Sequence, residues 1–462
     1  MNDTATISKR KRYRSLIYFA ATLAIALMLT WLVKEPTFTD SQVYVFFLLF
    51  FSIGLWLTEA IPAFAVALFI MAYLVFALGN PFFNSAPEKI DRYVNTFSSS
   101  SIWLLLGGFF LATAMTKTKL DEKLLGLTLR ISGKKPGNIL VAFMLTAMVA
   151  SMIMSNTATT AMLVAALMPL FNSLGRSGFT KALLLGITVA ATTGGMATII
   201  GTPSNAIAAG ILENDGIKID FVHWMVYGMP VSIALTAISA LVLLKVYIKS
   251  SDPVSLLFLN EKKRELPKEP GSQRTIVVIV IIVTVLFWLT SSLHGISVAA
   301  ISAIPLVALT VTGIITANDI KTLPWDTLFL VAGGLSLGEA LQSTGILEHY
   351  AAQMRTMNLG SVGFIFILAY VAMIFSNVMS NAAAATVLIP LGFAILPGLQ
   401  KEVALSIGLS ASVAILLPVS TPTNAIVFST GYLDQKDFRL SGILIGLLGP
   451  LLAVLWVLLI KG

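Results

Sequence analysis

Cysteine is absent from all 462 residues, which removes disulfides, thiolate metal sites and cysteine nucleophiles. Charge is scarce: Asp, Glu, Lys and Arg make up 11% of the chain, against about 25% in soluble globular proteins. Histidine occurs three times, at 223, 294 and 349, too sparsely for a His-based metal or catalytic constellation. Two long stretches lack acidic side chains almost completely. From Asn138 to Leu212 there is no Asp or Glu, and the only basic residues are Arg176 and Lys181. From Leu359 to Leu433 the only charged residues are Lys401 and Glu402. Proton-coupled carriers place a titratable carboxylate or His inside the membrane, and these regions offer none. No Asp pair lies within an apolar span, so the expectation is a protein that is not an enzyme and has no cofactor.

What fills the chain instead is apolar: 57% of residues are hydrophobic and the mean hydropathy is +0.89. The solvent is therefore mostly lipid. The net charge of +8 comes from short basic clusters between apolar runs, such as Lys9-Arg10-Lys11-Arg12, Lys134-Lys135 and Lys262-Lys263-Arg264. That spacing follows the positive-inside rule and argues against nucleic acid as a partner. Leu16–Val33 has no small-residue cleavage pattern after it, so a retained helix is expected there.

With about 20 apolar residues needed per crossing, spans fall near 15–33, 41–59, 61–79, 101–118, 221–247, 275–292, 296–315, 326–344 and 440–460. Interrupted helices are expected over 182–213 and 403–430, and a basic amphipathic arm over 117–137 with a counterpart near 346–358. Ile139–Leu174 and Val362–Leu399 are too long for one crossing. The 36 residues of the first would make a helix of about 54 Å in a hydrocarbon core of about 30 Å. Both its flanks are basic (Lys134-Lys135, then Arg176 and Lys181) and belong on one side, so it must fold back as a re-entrant hairpin. The basic clusters put the N-terminus in the cytoplasm, Glu213-Asn214-Asp215 and the C-terminus outside, and make the two hairpins enter from opposite sides.

Four features recur in the same order. Leu55-Trp56-Leu57-Thr58 matches Phe287-Trp288-Leu289-Thr290, and Gly107-Gly108 matches Gly333-Gly334. Ser151-Met152-Ile153-Met154-Ser155-Asn156 matches Ser376-Asn377-Val378-Met379-Ser380-Asn381, and Thr202-Pro203-Ser204-Asn205 matches Thr421-Pro422-Thr423-Asn424. The offsets, 232, 226, 225 and 219, are nearly constant. A duplication read as an inverted repeat is the symmetry of secondary transporters. The predicted fold is thus all-α and polytopic: two inverted repeats, about 11 transmembrane helices and two re-entrant hairpins.

The Ser-Asn motifs mark the hairpin turns. Ser and Asn favour helix N-caps, so each motif can end one helix and begin the next. The new helix offers unpaired N–H groups and a positive dipole end, and the old one offers carbonyls. Such a turn can hold a carboxylate beside a small cation. Helix gluing by small polar residues is the plainer alternative for either motif alone. At Thr202-Pro203 and Thr421-Pro422 the proline removes a helical N–H and frees carbonyls, which fits a cavity lining or an ordinary kink. Glu59 reads as a boundary carboxylate capping the helix after it, Glu339 as facing a helix interface, and His223 beside Trp224 as interfacial.

Thr58-Glu59-Ala60-Ile61-Pro62, Ser155-Asn156-Thr157, Gly201-Thr202-Pro203, Ser380-Asn381 and Thr421-Pro422 together resemble the divalent anion/sodium symporter family of dicarboxylate and citrate carriers. The resemblance implies an elevator-type homodimer in the bacterial inner membrane. Scaffold parts would be 1–137 and 275–358, transport-domain halves 138–248 and 359–462, and a cytoplasmic linker 249–274. It implies sodium sites at Ser151, Ser155, Asn156 and Gly201, and at Ser376, Met379, Asn381 and Ser420. Substrate contacts would come from Ser155, Asn156, Thr157, Pro203, Ser380, Asn381, Ala382, Thr421 and Pro422. The implied function is sodium-coupled uptake of C4-dicarboxylates such as succinate, malate or fumarate. The alternatives are a sodium-independent dicarboxylate/2-oxoglutarate exchanger and a sodium-coupled citrate or sulfate carrier. Ala382 departs from the pattern, standing where the family often has Thr.

Overall fold

The computed structural model describes residues 2–84, 87–249, 271–346, 349, 360–418 and 420–460, with side chains from Tyr13 onward. Most of the 249–274 linker and of the arm expected near 346–358 lies outside the described residues. The rest is helical. The first half contains α1 (Asn2–Val33), α2 (Asp40–Thr58), α3 (Ala63–Gly79), α4 (Asp91–Val94), α5 (Ser100–Lys117), α6 (Leu120–Ser132), α7 (Pro136–Ser151), α8 (Asn156–Leu174), α9 (Gly178–Gly195), α10 (Pro203–Asn214) and α11 (Phe221–Tyr247). The second contains α12 (Gly271–Leu289), α13 (Ser291–His294), α14 (Val298–Val311), α15 (Ala317–Lys321), α16 (Trp325–Ser343), α17 (Ser361–Val378), α18 (Asn381–Ile395), α19 (Gln400–Ala411), α20 (Pro422–Ser429) and α21 (Asp437–Leu459). Among the described residues eight helices are long and apolar enough to cross a membrane, Tyr13–Val33 and Asp437–Leu459 among them. The chain is an all-α polytopic membrane protein.

Packing partners occur in matched pairs. Helix α3 lies on α16 as α14 lies on α5; α7 and α11 lie on α9 as α17 and α21 lie on α19. The second hairpin helices cross over, α8 to α20 and α18 to α10. The Gly-Gly markers explain two of these contacts, because glycine permits close backbone approach. A Cβ on Gly107 would come within 2.9 Å of the Ser302 Cβ, and one on Gly333 within 2.6 Å of the Ala67 Cβ. Left-handed turns also recur in pairs, at Lys119 and Gly345, Gly175 and Gly398, Gly216 and Gly431.

Burial sorts the helices by role. Every residue of α9 from Ala182 to Gly195 is buried, so this helix sits in protein on all sides. Helix α1 instead exposes Leu27, Met28, Trp31 and Leu32, as a lipid-facing helix does. Charges at or beside helix ends form ion pairs: Lys181 with Asp437 at 2.7 Å, Arg176 with Asp434 at 3.2 Å, Lys117 with Asp319 at 2.6 Å. Partial desolvation opposes ionisation of Asp319, but bonds from Lys117 and Thr316 outweigh it and hold the carboxyl down at about 2.

One local expectation is corrected. Glu59 does not cap the helix after it; it is the left-handed C-cap of α2 (φ 49°), and Pro62 precedes α3. His223 is exposed and pairs with Asp220 at 2.8 Å; its neighbour Trp224 is buried, and its indole donates to the Met196 carbonyl at 3.1 Å. After the linker the described residues are helical from Gly271 to Leu289.

Candidate functional site

Both long apolar segments are split at the Ser-Asn motifs. Ser155 is the N-cap of α8, accepting from the Ala158 N–H at 3.2 Å. Ser380 is the N-cap of α18, accepting from the Ala383 N–H at 3.2 Å. An N-cap satisfies one of four orphan donors, so each turn keeps free N–H groups and a positive helix end. The residue before, Met379, is extended (φ −116°, ψ −177°) and buried, which separates α17 from α18.

The two asparagines reach from the turns to the interrupted helices. With its amide nitrogen turned toward acceptors, an orientation assigned from the partners, Asn156 donates to the Ala191 carbonyl at 3.1 Å and the Gly201 carbonyl at 3.2 Å. It also meets the Ser151 hydroxyl at 2.5 Å. On the other side the Ser376 hydroxyl lies 2.6 Å from both the Asn381 Oδ1 and the Ala411 carbonyl. One hydroxyl proton cannot serve two acceptors, so oxygen lone pairs are in excess there. Both clusters consist of neutral, hard oxygen ligands, the donor class that holds an alkali cation at broken helices. No group of three His, Asp or Glu that could hold a metal occurs among the described residues.

The interruptions run from Met196 to Thr202 and from Ser412 to Thr421. Pro203 and Pro422 stand at the first position of α10 and α20, where no N–H is needed. They therefore start the second helix of each interrupted pair rather than kink a continuous one. The freed carbonyls are taken up by the fourth motif residue. Asn205 donates to the carbonyls of Gly195 (3.1 Å) and Thr198 (2.7 Å). Asn424 donates to those of Ile415 (3.0 Å) and Leu417 (2.8 Å). Sequence reasoning quoted both asparagines as repeat markers and left them out of the site. Their place in the Thr-Pro-x-Asn motif was the available signal.

Further bonds join each turn to its interruption. Thr198 donates to the Met152 carbonyl at 2.6 Å, and the Leu416 N–H donates to Asn377 Oδ1 at 2.9 Å. The start of α10 meets the second interruption through Ser204 and Ser412, whose hydroxyls are 2.9 Å apart. Of the expected site residues, Ser155, Thr157, Ser380 and Pro422 are exposed, and Asn156, Asn381, Pro203 and Ser420 half-buried. Ser151, Gly201, Ser376, Met379, Ala382 and Thr421 are buried. The third motif positions thus differ: Thr157 offers surface and Ala382 does not. Glu339 lies elsewhere, paired with Arg92 at 3.2 Å.

A family profile described as "Citrate transporter" matches residues 53–406. The chain is 27% identical over 435 residues to the sodium-dependent dicarboxylate transporter SdcS of Staphylococcus aureus strain USA300, which pairs 87% of this chain with 82% of that one. The protein of the same name from strain bovine RF122 / ET3-1 aligns equally. Among solved structures, that of the Alcanivorax borkumensis YdaH transporter superposes with a TM-score of 0.60 over 87% of this chain and 98% of that one. At 14% identity that is a likeness of fold.

Proposed function

The chain belongs to the citrate transporter family, and from that premise we propose that it is a sodium-coupled importer of C4-dicarboxylates such as succinate, malate or fumarate. One observation carries this reading: two carboxylate-free clusters of carbonyl, amide and hydroxyl oxygens, each beneath a helix N-terminus opened by Ser155 or Ser380. A dianion in such a place needs positive charge from helix ends and bound cations, because no Arg or Lys lies between Asn138 and Pro169 or between Leu359 and Gln400. Sodium held by Ser151, Ser155, Asn156 and Gly201, and by Ser376, Met379, Asn381 and Ser420, supplies it. The dicarboxylate sits against Ser155, Asn156, Thr157, Pro203, Ser380, Asn381, Ala382, Thr421 and Pro422. The naming of the S. aureus relative supports sodium and dicarboxylate as partners. The crosswise pairing of α3 with α16 and α14 with α5 supports an inverted repeat, in which a transport unit moves as an elevator against a scaffold within a homodimer in the bacterial inner membrane.

A citrate-carrying reading rests on the family description and on Ala382, which withdraws one hydroxyl from the site. Thermal stabilisation of the purified protein separates these readings. Succinate stabilising only when sodium replaces potassium supports the proposal. Stabilisation by citrate and not succinate transfers it to the larger anion, and no sodium effect with any carboxylate refutes it.

A further inference from the structure

Asn205 and Asn424 are completely buried, and each spends its amide nitrogen on two carbonyls of its own interruption. Carbonyls only accept, so the orientation of both amides is fixed by chemistry, and each Oδ1 must find a donor. In both cases the donor is a hydroxyl from the opposite repeat. Ser412 lies 3.2 Å from Asn205 Oδ1 and 3.0 Å from the Gly408 carbonyl of its own helix, and Thr188 donates to Asn424 Oδ1 at 3.1 Å. One hydroxyl proton serves one acceptor; given to Asn205 it satisfies a completely buried amide oxygen, and Ser204, at 2.9 Å, can donate to Ser412 in turn. Both donors are buried, Ser412 at 0% and Thr188 at 1% exposure, so water cannot replace them.

Each donor also belongs to the backbone of the other cluster. Ser412 directly follows Ala411, whose carbonyl meets the Ser376 hydroxyl. Thr188 lies one turn before Ala191, whose carbonyl receives Asn156. From Asn205 the linkage continues into the first cluster, since the carbonyls it holds belong to Gly195 and Thr198. The Gly201 backbone packs on Gly195, with a Cβ on Gly201 only 2.8 Å from the Gly195 Cα. Thr198 grips the hairpin turn at Met152. From Asn424 it continues through residues 415–417, where Leu416 grips Asn377 beside Ser376.

We propose that Ser412 and Thr188 are positioning residues that couple the two cation clusters crosswise, each hydroxyl setting the geometry of the cluster in the opposite repeat. This rests on the reading of both clusters as sodium sites. Filling one cluster fixes the helix segment that carries the donor for the other, so the second cation meets a site already formed.

The absence of native cysteine allows a direct test with single-cysteine probes at each hairpin turn, Ile153→Cys for the first and Val378→Cys for the second. The readout is the sodium concentration that half-protects each thiol from a maleimide, with potassium as control. Ser412→Ala is expected to raise that concentration on the order of tenfold at position 153 and much less at 378, because a buried acceptor in the first interruption loses its partner. Thr188→Val is expected to do the reverse, and it tests the coupling independently if Ser412→Ala does not fold. Ser412→Thr and Thr188→Ser, which keep the hydroxyl, are expected to restore the sodium dependence. Sodium protecting neither thiol in the otherwise unaltered protein removes the paired-cation reading itself. Protection of both thiols that no hydroxyl variant shifts, or that shifts on the donor's own side, overturns the coupling alone.

Discussion

Gly195→Ala separates site geometry from fold stability. Gly195 closes α9 immediately under the Asn156 amide, and an added Cβ would stand 2.1 Å from the nearer amide heteroatom and 2.9 Å from the amide carbon. Carbon atoms in contact sit about 3.5–4.0 Å apart, so the carbon contact alone makes the amide retreat by roughly 0.6–1.1 Å, and the nearer heteroatom demands more. Its bonds to the Ala191 and Gly201 carbonyls, now 3.1 and 3.2 Å, then pass beyond hydrogen-bonding distance. Two such bonds at about 1 kcal/mol each amount to about 2 kcal/mol, or roughly 30-fold in affinity. The empty protein should not suffer equally, since alanine is the better helix former by up to about 1 kcal/mol. Gly194→Ala is the contrast. There the Cβ meets the Met148 backbone, 2.7 Å from its Cα, so α9 must move off α7 and thermal stability should fall. The assay pairs succinate uptake into proteoliposomes with thermal unfolding of the ligand-free protein. Wild-type uptake by Gly195→Ala, or equal destabilisation by both variants, would refute the assignment of Asn156 to the site.

Asn156→Ala and Asn381→Ala should each abolish uptake while leaving the monodisperse, folded protein intact, and full activity in both would remove the core of the site. Lys181→Met leaves the Asp437 carboxylate, 9% exposed, without its cation and should cost about 3 kcal/mol; the double variant Lys181→Met/Asp437→Asn should recover about half of that, read as thermal midpoints. Because no carboxylate or His lies in either cluster, the apparent affinity for a fully ionised dicarboxylate should be flat with pH. A change of about tenfold per pH unit, the linkage of one proton, would contradict that.

The parts legible in the sequence are those set by length and local chemistry. A 36-residue apolar segment cannot be one crossing, and Ser155 and Ser380 are N-caps by residue type, so both turns could be placed to the residue. The repeat could be read because its markers, Gly107 with Gly333 and Thr202-Pro203 with Thr421-Pro422, carry residues chosen for backbone reasons. What the sequence hid depends on partners far along the chain. Asn205 looks like one more motif letter until the Gly195 and Thr198 carbonyls fold back onto it, and its second partner, Ser412, is 207 residues away. Trp224 follows the exposed His223 and is nonetheless buried, because the neighbouring interruption supplies the carbonyl that draws its indole inward. Glu59 is a boundary carboxylate that would suit the positive start of a helix, but it lies four residues before α3 begins at Ala63, and its left-handed backbone ends α2 instead.

Sodium-gradient-driven uptake of radiolabelled succinate into proteoliposomes tests the central claim most directly. The expected result is accumulation only with sodium outside, rising more steeply than first order in its concentration, as two coupled cation sites require. Accumulation that ignores sodium and demands an internal dicarboxylate would contradict it and make the protein an exchanger.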